Sequence, residues 1–267
     1  MDRLIFRRMG LLAAVGALWV ACDHKDEAAP AGTSSATSAL APSVSEGKAI
    51  KFAIDSKGTA SIDMPAPKEH IKADTSAAAG ALEIDLANLA GSRGEVKIDL
   101  STLKTHTFGN DSDTTQTKHA LTWLEVGGDA PQEAHEPNRW AVYAIRSIDG
   151  LSASDITKVA AAKEGSDDVR TVTLTAHGEF LLHGHKVPNK DAALEAKFHY
   201  PSGSPADSKP IRIEITSKSP LHVVLADHDV KPRDNVGKIA QSAFGLLGTK
   251  VAETADVSID LTATPVQ

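Results

Sequence analysis

Histidines occur in two short clusters that could hold a metal ion. The stretch "HGHK" contains His183 and His185, which would share one face of a strand, and "ADHDV" contains Asp227, His228 and Asp229. Imidazole nitrogens and carboxylate oxygens are ligands that zinc and related transition ions accept. However, no further ligand follows His183 and His185 at a ligand spacing, and 11 histidines in the chain make such pairs common by chance. We therefore interpret His183 and His185 as turn residues and predict no metal site in either cluster.

The sequence offers little support for catalysis. A nucleophilic serine in a sharp turn would show a Gly-x-Ser-x-Gly pattern, which is absent, and the single cysteine, Cys22, follows an apolar run near the start of the chain. The stretch "GLLGTK" lacks the spacing of a phosphate-binding loop. We predict no catalytic residues, no cofactor and a protein that is not an enzyme.

The first residues have the architecture of an export signal. Three arginines in "MDRLIFRRMG" precede the apolar run "LLAAVGALWVA", which is shorter than the roughly 20 residues that a membrane-spanning helix needs. The run ends at Cys22, and "LWVAC" resembles the bacterial lipobox, in which the cysteine is lipidated and becomes the first residue. The resemblance implies a lipoprotein signal peptide over residues 1–21 and attachment to a membrane through the lipidated Cys22.

Residues 22–45 are predicted to form a flexible tether. After Cys22 the chain is rich in Ala, Ser, Thr and Pro and holds almost no large apolar side chain, so it cannot bury a core. The whole chain has 28 basic and 35 acidic residues, a net charge of −7, which argues against a nucleic-acid partner. We expect a protein of the bacterial cell envelope that faces the periplasm and is anchored to the inner or outer membrane.

Residues 46–267 show the period-two alternation of β-strands with one apolar face. Ile50, Phe52 and Ile54 share such a face, while the opposite faces of the strands are polar, as in an antiparallel sheet. About eight or nine strands are predicted, and they would close into a sandwich or a barrel, which strand count alone does not separate. The clearest stretches are "KAIKFAID", "GEVKIDLS", "RTVTLTAHGEFLL", "ALEAKFHY", "IRIEIT" and "VSIDLTA", followed by "ALEIDLANL", "WAVYAI" and "LHVVLA".

One to three short helices interrupt this all-β pattern. The candidate segments start at Asp113, Ser152 and Asp234. In "DNVGKIAQSAFGLLG" the apolar residues recur at helical spacing after Asp234, and Gly248 is a plausible end. We predict a short helix there that packs on the barrel.

The stretch "VTLTAHGEFLLHGHKVP" resembles the signature of the YceI-like family, which comprises exported bacterial polyisoprenoid-binding proteins. "GEVKIDLSTLKT", "HALTWLEV" and "VSIDLTAT" are also similar to the family pattern. The resemblance implies an extended antiparallel lipocalin-like β-barrel of about eight strands over residues 46–267. We then expect a hairpin with Gly178, Gly184 and Pro188 as its structural turn residues. The matching residues are Gly178, Phe180, Leu182, Gly184, Lys186 and Pro188.

The apolar face of the strands is the candidate binding surface. A barrel of eight strands is either filled by its side chains or holds one slender ligand, and aromatic residues make up just 4% of this chain. The resemblance implies an isoprenoid or other long-chain lipid, held for carriage, storage or sensing. The alternative is a non-catalytic structural or interaction lipoprotein with a side-chain-filled barrel. The predicted cavity-lining residues are Val96, Ile98, Leu100, Val172, Leu174, Ala176, Phe180, Leu182, Ala196, Phe198, Ile213 and Ile259, with Trp123 and Trp140 near the mouth.

Overall fold

The computed structural model describes residues 49–65, 70–231 and 252–266, which belong to a compact unit that runs from Leu40 to Gln267. The predicted signal peptide, Cys22, the predicted tether and the helix predicted from Asp234 lie outside the described residues.

Thirteen strands form one sheet in the described part of the chain. Most are joined to their partners in antiparallel ladders of alternating inward and outward residues, as the sequence pattern predicts. The strands are β1 (Ile50–Ile54), β2 (Thr59–Pro65), β3 (His70–Thr75), β4 (Ala78–Ile84), β5 (Arg93–Asp99), β6 (Lys104–Thr105), β7 (Trp140–Asp149), β8 (Ala162–Glu164), β9 (Asp167–Leu182), β10 (His185–Pro201), β11 (Arg212–Ser217), β12 (Leu221–Val224) and β13 (Thr254–Pro265).

Eight of these strands close into a ring. Their order is β1-β4-β5-β7-β9-β10-β11-β13, and β13 returns to β1, with Phe52 opposite Pro265 and Ile54 opposite Ala263. All pairings around the ring are antiparallel. The prediction of an antiparallel lipocalin-like β-barrel of about eight strands is therefore confirmed.

Strands β2, β3 and β6 extend the sheet beyond the ring, starting from β13. Along one edge of β13, β1 pairs with residues 263–265 and β2 with residues 256–260, so β1 and β2 act as one long strand that is interrupted between them. The interruption contains Gly58, where a Cβ atom would lie 2.7 Å from Leu261 Cδ2 and 2.8 Å from Ala78 Cβ. Glycine is required there because any side chain would force these neighbours apart.

Two α-helices lie between β6 and β7 in the described residues: α1 (Ser112–Trp123) and α2 (Gln132–Asn138). The sequence pattern predicts α1 but not α2. The segment from Ser152 is not helical beyond a single tight turn at Ile156–Lys158, in which Ile156 is fully buried. None of the described helices is both long and apolar enough for a membrane span.

The hairpin between β9 and β10 turns on two residues, His183 and Gly184, with φ angles of 50° and 75°. Positive φ at both positions is the geometry of a type I′ turn. Gly178 is not a turn residue, and this part of the prediction is wrong. It lies inside β9, where a Cβ atom would be 2.4 Å from the Ala144 carbonyl oxygen, so glycine permits the close approach of β7. Pro188 lies within β10, where the register with β9 shifts.

Candidate functional site

The ring encloses a cavity of about 910 Å³. Its wall is formed by the inward-facing side chains of the strands, because alternate residues of a strand point to the same side of the sheet. On β10, for example, Ala192, Leu194, Ala196 and Phe198 all line the cavity. Almost every strand of the ring contributes apolar side chains in this way, so the cavity wall is predominantly hydrocarbon.

Two alanines face each other across the central hairpin. Ala176 of β9 is paired with Ala192 of β10, and both line the cavity. Ala196, four residues further along β10 and on the same face as Ala192, also lines it. Larger side chains at these positions would fill space that is now part of the cavity.

Twelve of the fourteen residues that the sequence predicts for the cavity do line it. Ten of them fall on the inward face of a strand, one follows directly after the end of β5 and one lies on α1. The twelve are Val96, Ile98, Leu100, Trp123, Leu174, Ala176, Phe180, Leu182, Ala196, Phe198, Ile213 and Ile259.

The other two residues do not line the cavity. Trp140 directly precedes the cavity-lining Ala141, so alternation places it on the opposite face of β7, where the Arg139 guanidinium carbon lies 5.1 Å from its ring centroid. Val172 belongs to the packed core near the start of β9. Phe52, Tyr200 and other large side chains of the same core are almost wholly buried.

One face of α1 borders the cavity. Six of its residues contribute to the wall, at the spacing of one, three or four residues that places side chains on the same side of a helix. They are Ser112, Thr115, Gln116, His119, Ala120 and Trp123. The first of these residues are polar and exposed, whereas Trp123 is apolar and partly buried. The described residues therefore give the cavity a polar rim beside the start of α1. The sequence pattern predicts Trp123 but misses the polar residues, because they carry no apolar periodicity.

The start of α1 is fixed to the end of the sheet by hydrogen bonds. The backbone N–H of Thr105 in β6 donates to the Thr117 hydroxyl at 2.9 Å, and the Thr105 hydroxyl donates to the Asp113 carbonyl at 2.8 Å. The backbone N–H groups of Phe108 and Gly109 donate to the Asp113 carboxylate and hold the pKa of Asp113 below its ordinary value. These hydrogen bonds to β6 therefore hold the polar residues at the start of α1 in place beside the cavity.

Two polar side chains on the strands of the cavity wall form hydrogen bonds within the protein. The Tyr143 hydroxyl lies 2.8 Å from the Ala176 carbonyl oxygen and 2.6 Å from that of Lys190, and burial raises the pKa of Tyr143, so it is a neutral donor. Arg93 Nε donates to Glu83 Oε2 at 2.8 Å. The wall can hold an apolar ligand by excluding water, with little electrostatic preference for a charged one.

A second group of side chains lies at the β9–β10 turn. His183, His185 and Asp229 offer ligand atoms that all lie within 4.8 Å of one another. The sequence pattern does not predict this group, because Asp229 comes from a distant segment that only the fold brings to the turn. His228, its neighbour, is fully buried and packs edge-on against Phe180, with ring centroids 5.3 Å apart.

No family model and no curated protein matches this sequence. Several solved structures are similar to it, including the following two. One is a polyisoprenoid binding domain from Saccharophagus degradans implicated in plant cell wall breakdown, with 14% sequence identity, a TM-score of 0.47, and coverage of 81% of this chain and 99% of that chain. The other is BcnA from Burkholderia cenocepacia, with 12% identity, a TM-score of 0.45, and coverage of 79% of this chain and 99% of that chain.

Proposed function

We propose that this chain is a YceI-like lipid-binding protein that holds a long apolar chain of the isoprenoid class inside its barrel. The main support is the cavity of about 910 Å³, which has the size of a small-molecule site and a predominantly apolar wall. The resemblance of "VTLTAHGEFLLHGHKVP" to the family signature supports the same ligand class.

The energetics of burial allow such a ligand to bind without a charged contact. Burying hydrocarbon gives about 0.8 kcal/mol per methylene, so a five-carbon isoprene unit contributes roughly 3–4 kcal/mol before the costs of association and ordering. Three or four buried units are then sufficient for roughly micromolar affinity.

The polar rim suits the head group of an amphiphile. Ser112, Thr115, Gln116 and His119 offer hydroxyl, amide and imidazole groups beside the apolar wall. A lipid whose tail occupies the apolar part of the wall would leave its polar end among these groups. Binding, rather than catalysis, is the role that we propose for this arrangement, with the lipid carried, stored or sensed.

We also propose that the barrel is anchored in the bacterial envelope through a lipidated Cys22, on the periplasmic side of the inner or outer membrane. The support is the order of arginines, apolar run and cysteine in the sequence. Cys22→Ser is expected to abolish palmitate labelling and leave an unprocessed precursor. Labelling that persists in the variant would contradict the anchor.

The lipid proposal is tested on the compact unit from Leu40 to Gln267, purified without detergent. Native mass spectrometry and organic extraction are expected to release a chain-like lipid, and titration with a fluorescent polyisoprenoid should saturate at one site. If no lipid is released and none is taken up, the barrel is a structural or interaction module instead.

Cavity-filling variants connect the binding to the cavity. Ala176→Phe and Ala196→Phe should keep a folded β circular-dichroism spectrum and lose the lipid, because both positions line the wall. Thr171→Phe is the matched control, since Thr171 is an exposed residue of β9 that does not line the cavity. Equal lipid content in all three variants would mean that the ligand binds elsewhere.

A further inference from the structure

The β9–β10 turn presents two histidines on a rigid support. His183 and His185 flank Gly184, and their rings are stacked with centroids 6.2 Å apart and an interplanar angle of 16°. A two-residue type I′ turn leaves little backbone freedom, so the two side chains start from fixed positions. His183 is largely buried, with 7% of its side chain exposed, whereas His185 is exposed.

Asp229 is brought to these histidines by a buried contact. The ring of the preceding residue, His228, is fully buried, and its Nδ1 donates to the His185 carbonyl oxygen at 3.0 Å. Asp229 itself adopts a left-handed conformation with φ of 52°. The segment that carries the carboxylate is therefore fastened to the turn that carries the imidazoles, which preorganises the three side chains.

From this arrangement we propose that His183, His185 and Asp229 bind one divalent transition-metal ion of the zinc type. Their ligand atoms lie within 4.8 Å of one another. Tetrahedral zinc with bonds of 2.0–2.2 Å places its ligands about 3.4 Å apart, so the three side chains would move closer together when the ion binds. The proposal is independent of the lipid.

Glu125 has the position of an outer carboxylate that orients a metal-binding histidine. Its Oε2 lies 2.9 Å from His183 Nε2. When Nε2–H donates to this carboxylate, the lone pair of the ring is on Nδ1, which is then the ligand atom. Hydrogen bonds of this kind fix the tautomer and increase the basicity of metal-bound histidines.

The donor set selects the class of ion. Two imidazoles and one carboxylate suit zinc, nickel, cobalt or copper, whereas calcium and magnesium prefer all-oxygen sites. Three protein ligands leave a fourth tetrahedral position for water or another small ligand. Lys231 Nζ lies within hydrogen-bond distance of Asp229 Oδ1, so a metal ion must compete with this ammonium group for the carboxylate.

A bound ion would fix part of the cavity wall. Leu182 directly precedes the turn and Val230 directly follows Asp229, and both line the cavity. The ion would cross-link these two wall segments through their neighbouring side chains. Metal binding is therefore expected to raise the melting temperature of the protein.

The test is calorimetric titration of the full chain, purified in a mild detergent, with zinc chloride. One zinc ion per chain should bind, and the His185→Ala and Asp229→Asn variants should bind it at least about tenfold more weakly. His222→Ala is the matched control, because His222 is an exposed histidine paired with Asp256 on another strand and should not affect affinity. Circular dichroism checks that each variant is folded.

Two further variants distinguish a preorganised zinc site from nonspecific zinc binding by exposed histidines. Lys231→Gln removes the competing ammonium and should strengthen binding several-fold, whereas Glu125→Gln removes the orienting carboxylate and should weaken binding by about tenfold. Cobalt added in place of zinc should give the visible absorption of a tetrahedral site. Unchanged zinc affinity in His185→Ala, or no zinc binding by the wild-type chain, would overturn the proposal.

Discussion

Arg139 donates two hydrogen bonds to one carboxylate oxygen of Asp99, from Nε at 2.9 Å and from Nη2 at 2.7 Å. The other oxygen of Asp99 accepts from the backbone N–H of Ser101 at 3.0 Å. Asp99 ends β5 and Arg139 directly follows α2, so this ion pair joins the helical connection to the barrel wall. The Asp99 side chain is only 4% exposed, so the pair is less screened by water than an ion pair on the surface.

Loss of the Arg139 guanidinium should destabilise the barrel. We expect Arg139→Met to lower the free energy of unfolding by about 1–3 kcal/mol, because it leaves a buried carboxylate without its main donor. Urea denaturation measures the change. Lys158→Met is the control, since Lys158 pairs with Asp155 but its side chain is 82% exposed, and its effect should stay within about 0.5 kcal/mol. Equal changes in the free energy of unfolding for the two variants would mean that the Arg139–Asp99 pair stabilises the fold no more than an exposed ion pair does.

The same pair predicts a loss of stability in acid. Burial raises the pKa of Asp99, but hydrogen bonds from Arg139 and Ser101 lower it by more, so the native pKa lies below the ordinary value of 3.8. A depressed native pKa stabilises the fold above the unfolded pKa, and this contribution is lost as the pH falls through the native value. Urea midpoints measured from pH 5 to pH 2 should fall, and the fall should be smaller in Asp99→Asn. An identical pH profile in the variant would contradict this assignment.

A second pH effect with the opposite sign is expected at His177. Its Nδ1 lies 2.7 Å from Asp191 Oδ1 and its Nε2 2.8 Å from Asp149 Oδ1, so the ring connects β7, β9 and β10. The hydrogen bonds to Asp191 and Asp149 raise the pKa of His177 above 6.5.

The stabilisation from His177 is complete below the unfolded pKa and is lost as the pH rises through the raised native pKa. Urea midpoints should therefore fall between pH 6 and pH 9, and His177→Gln should lose this part of the pH dependence. NMR titration of the ring protons measures the pKa directly, and a value at or below 6.5 would rule out the effect.

Gly184 is expected to be required for its backbone conformation rather than for space. Its φ is 75°, and no atom lies within 4 Å of the position that a Cβ would take. Gly184→Val should lower stability by about 1–2 kcal/mol or more, because a β-branched residue is strained at positive φ. Gly184→Asn, which adopts this region readily, should cost less, as thermal melting can show. Equal melting temperatures for the two variants would contradict the turn geometry.

The sequence predicts the faces of the strands well because alternation depends only on local order. Val96 and Ile98, or Phe180 and Leu182, are two apart and share the inward face in the structure. Alternation does not show which inward side chains border open space, however. Val172 is buried in the core, whereas its cross-strand partner Ala196 lines the cavity. Trp140 is predicted to lie near the mouth, but alternation relative to the cavity-lining Ala141 puts it on the outer face of β7.

Some elements leave no clear pattern in the sequence. The inward residues of β2 and β3 include Ala60, Ala73 and Thr75, whose small or polar side chains weaken the alternation. Helix α2 contains Pro137 and lacks an apolar stripe, so its residues give no helical signal. The approach of Asp229 to His183 depends on how separate strands pair, and no spacing along the chain records it.

The closure of the ring by β13 against β1 has a consequence for how the barrel folds. These two strands are the first and last of the described elements, so the contact between Ile54 and Ala263 joins nearly opposite ends of the domain. Such a contact carries a large loop-closure entropy and gives the fold a high contact order, which is typical of slow folding. Until β13 has been synthesised and docked, β1 and β11 present unpaired edges to other chains. The nascent barrel is then most vulnerable to aggregation, and its final strand completes the sheet on both sides at once.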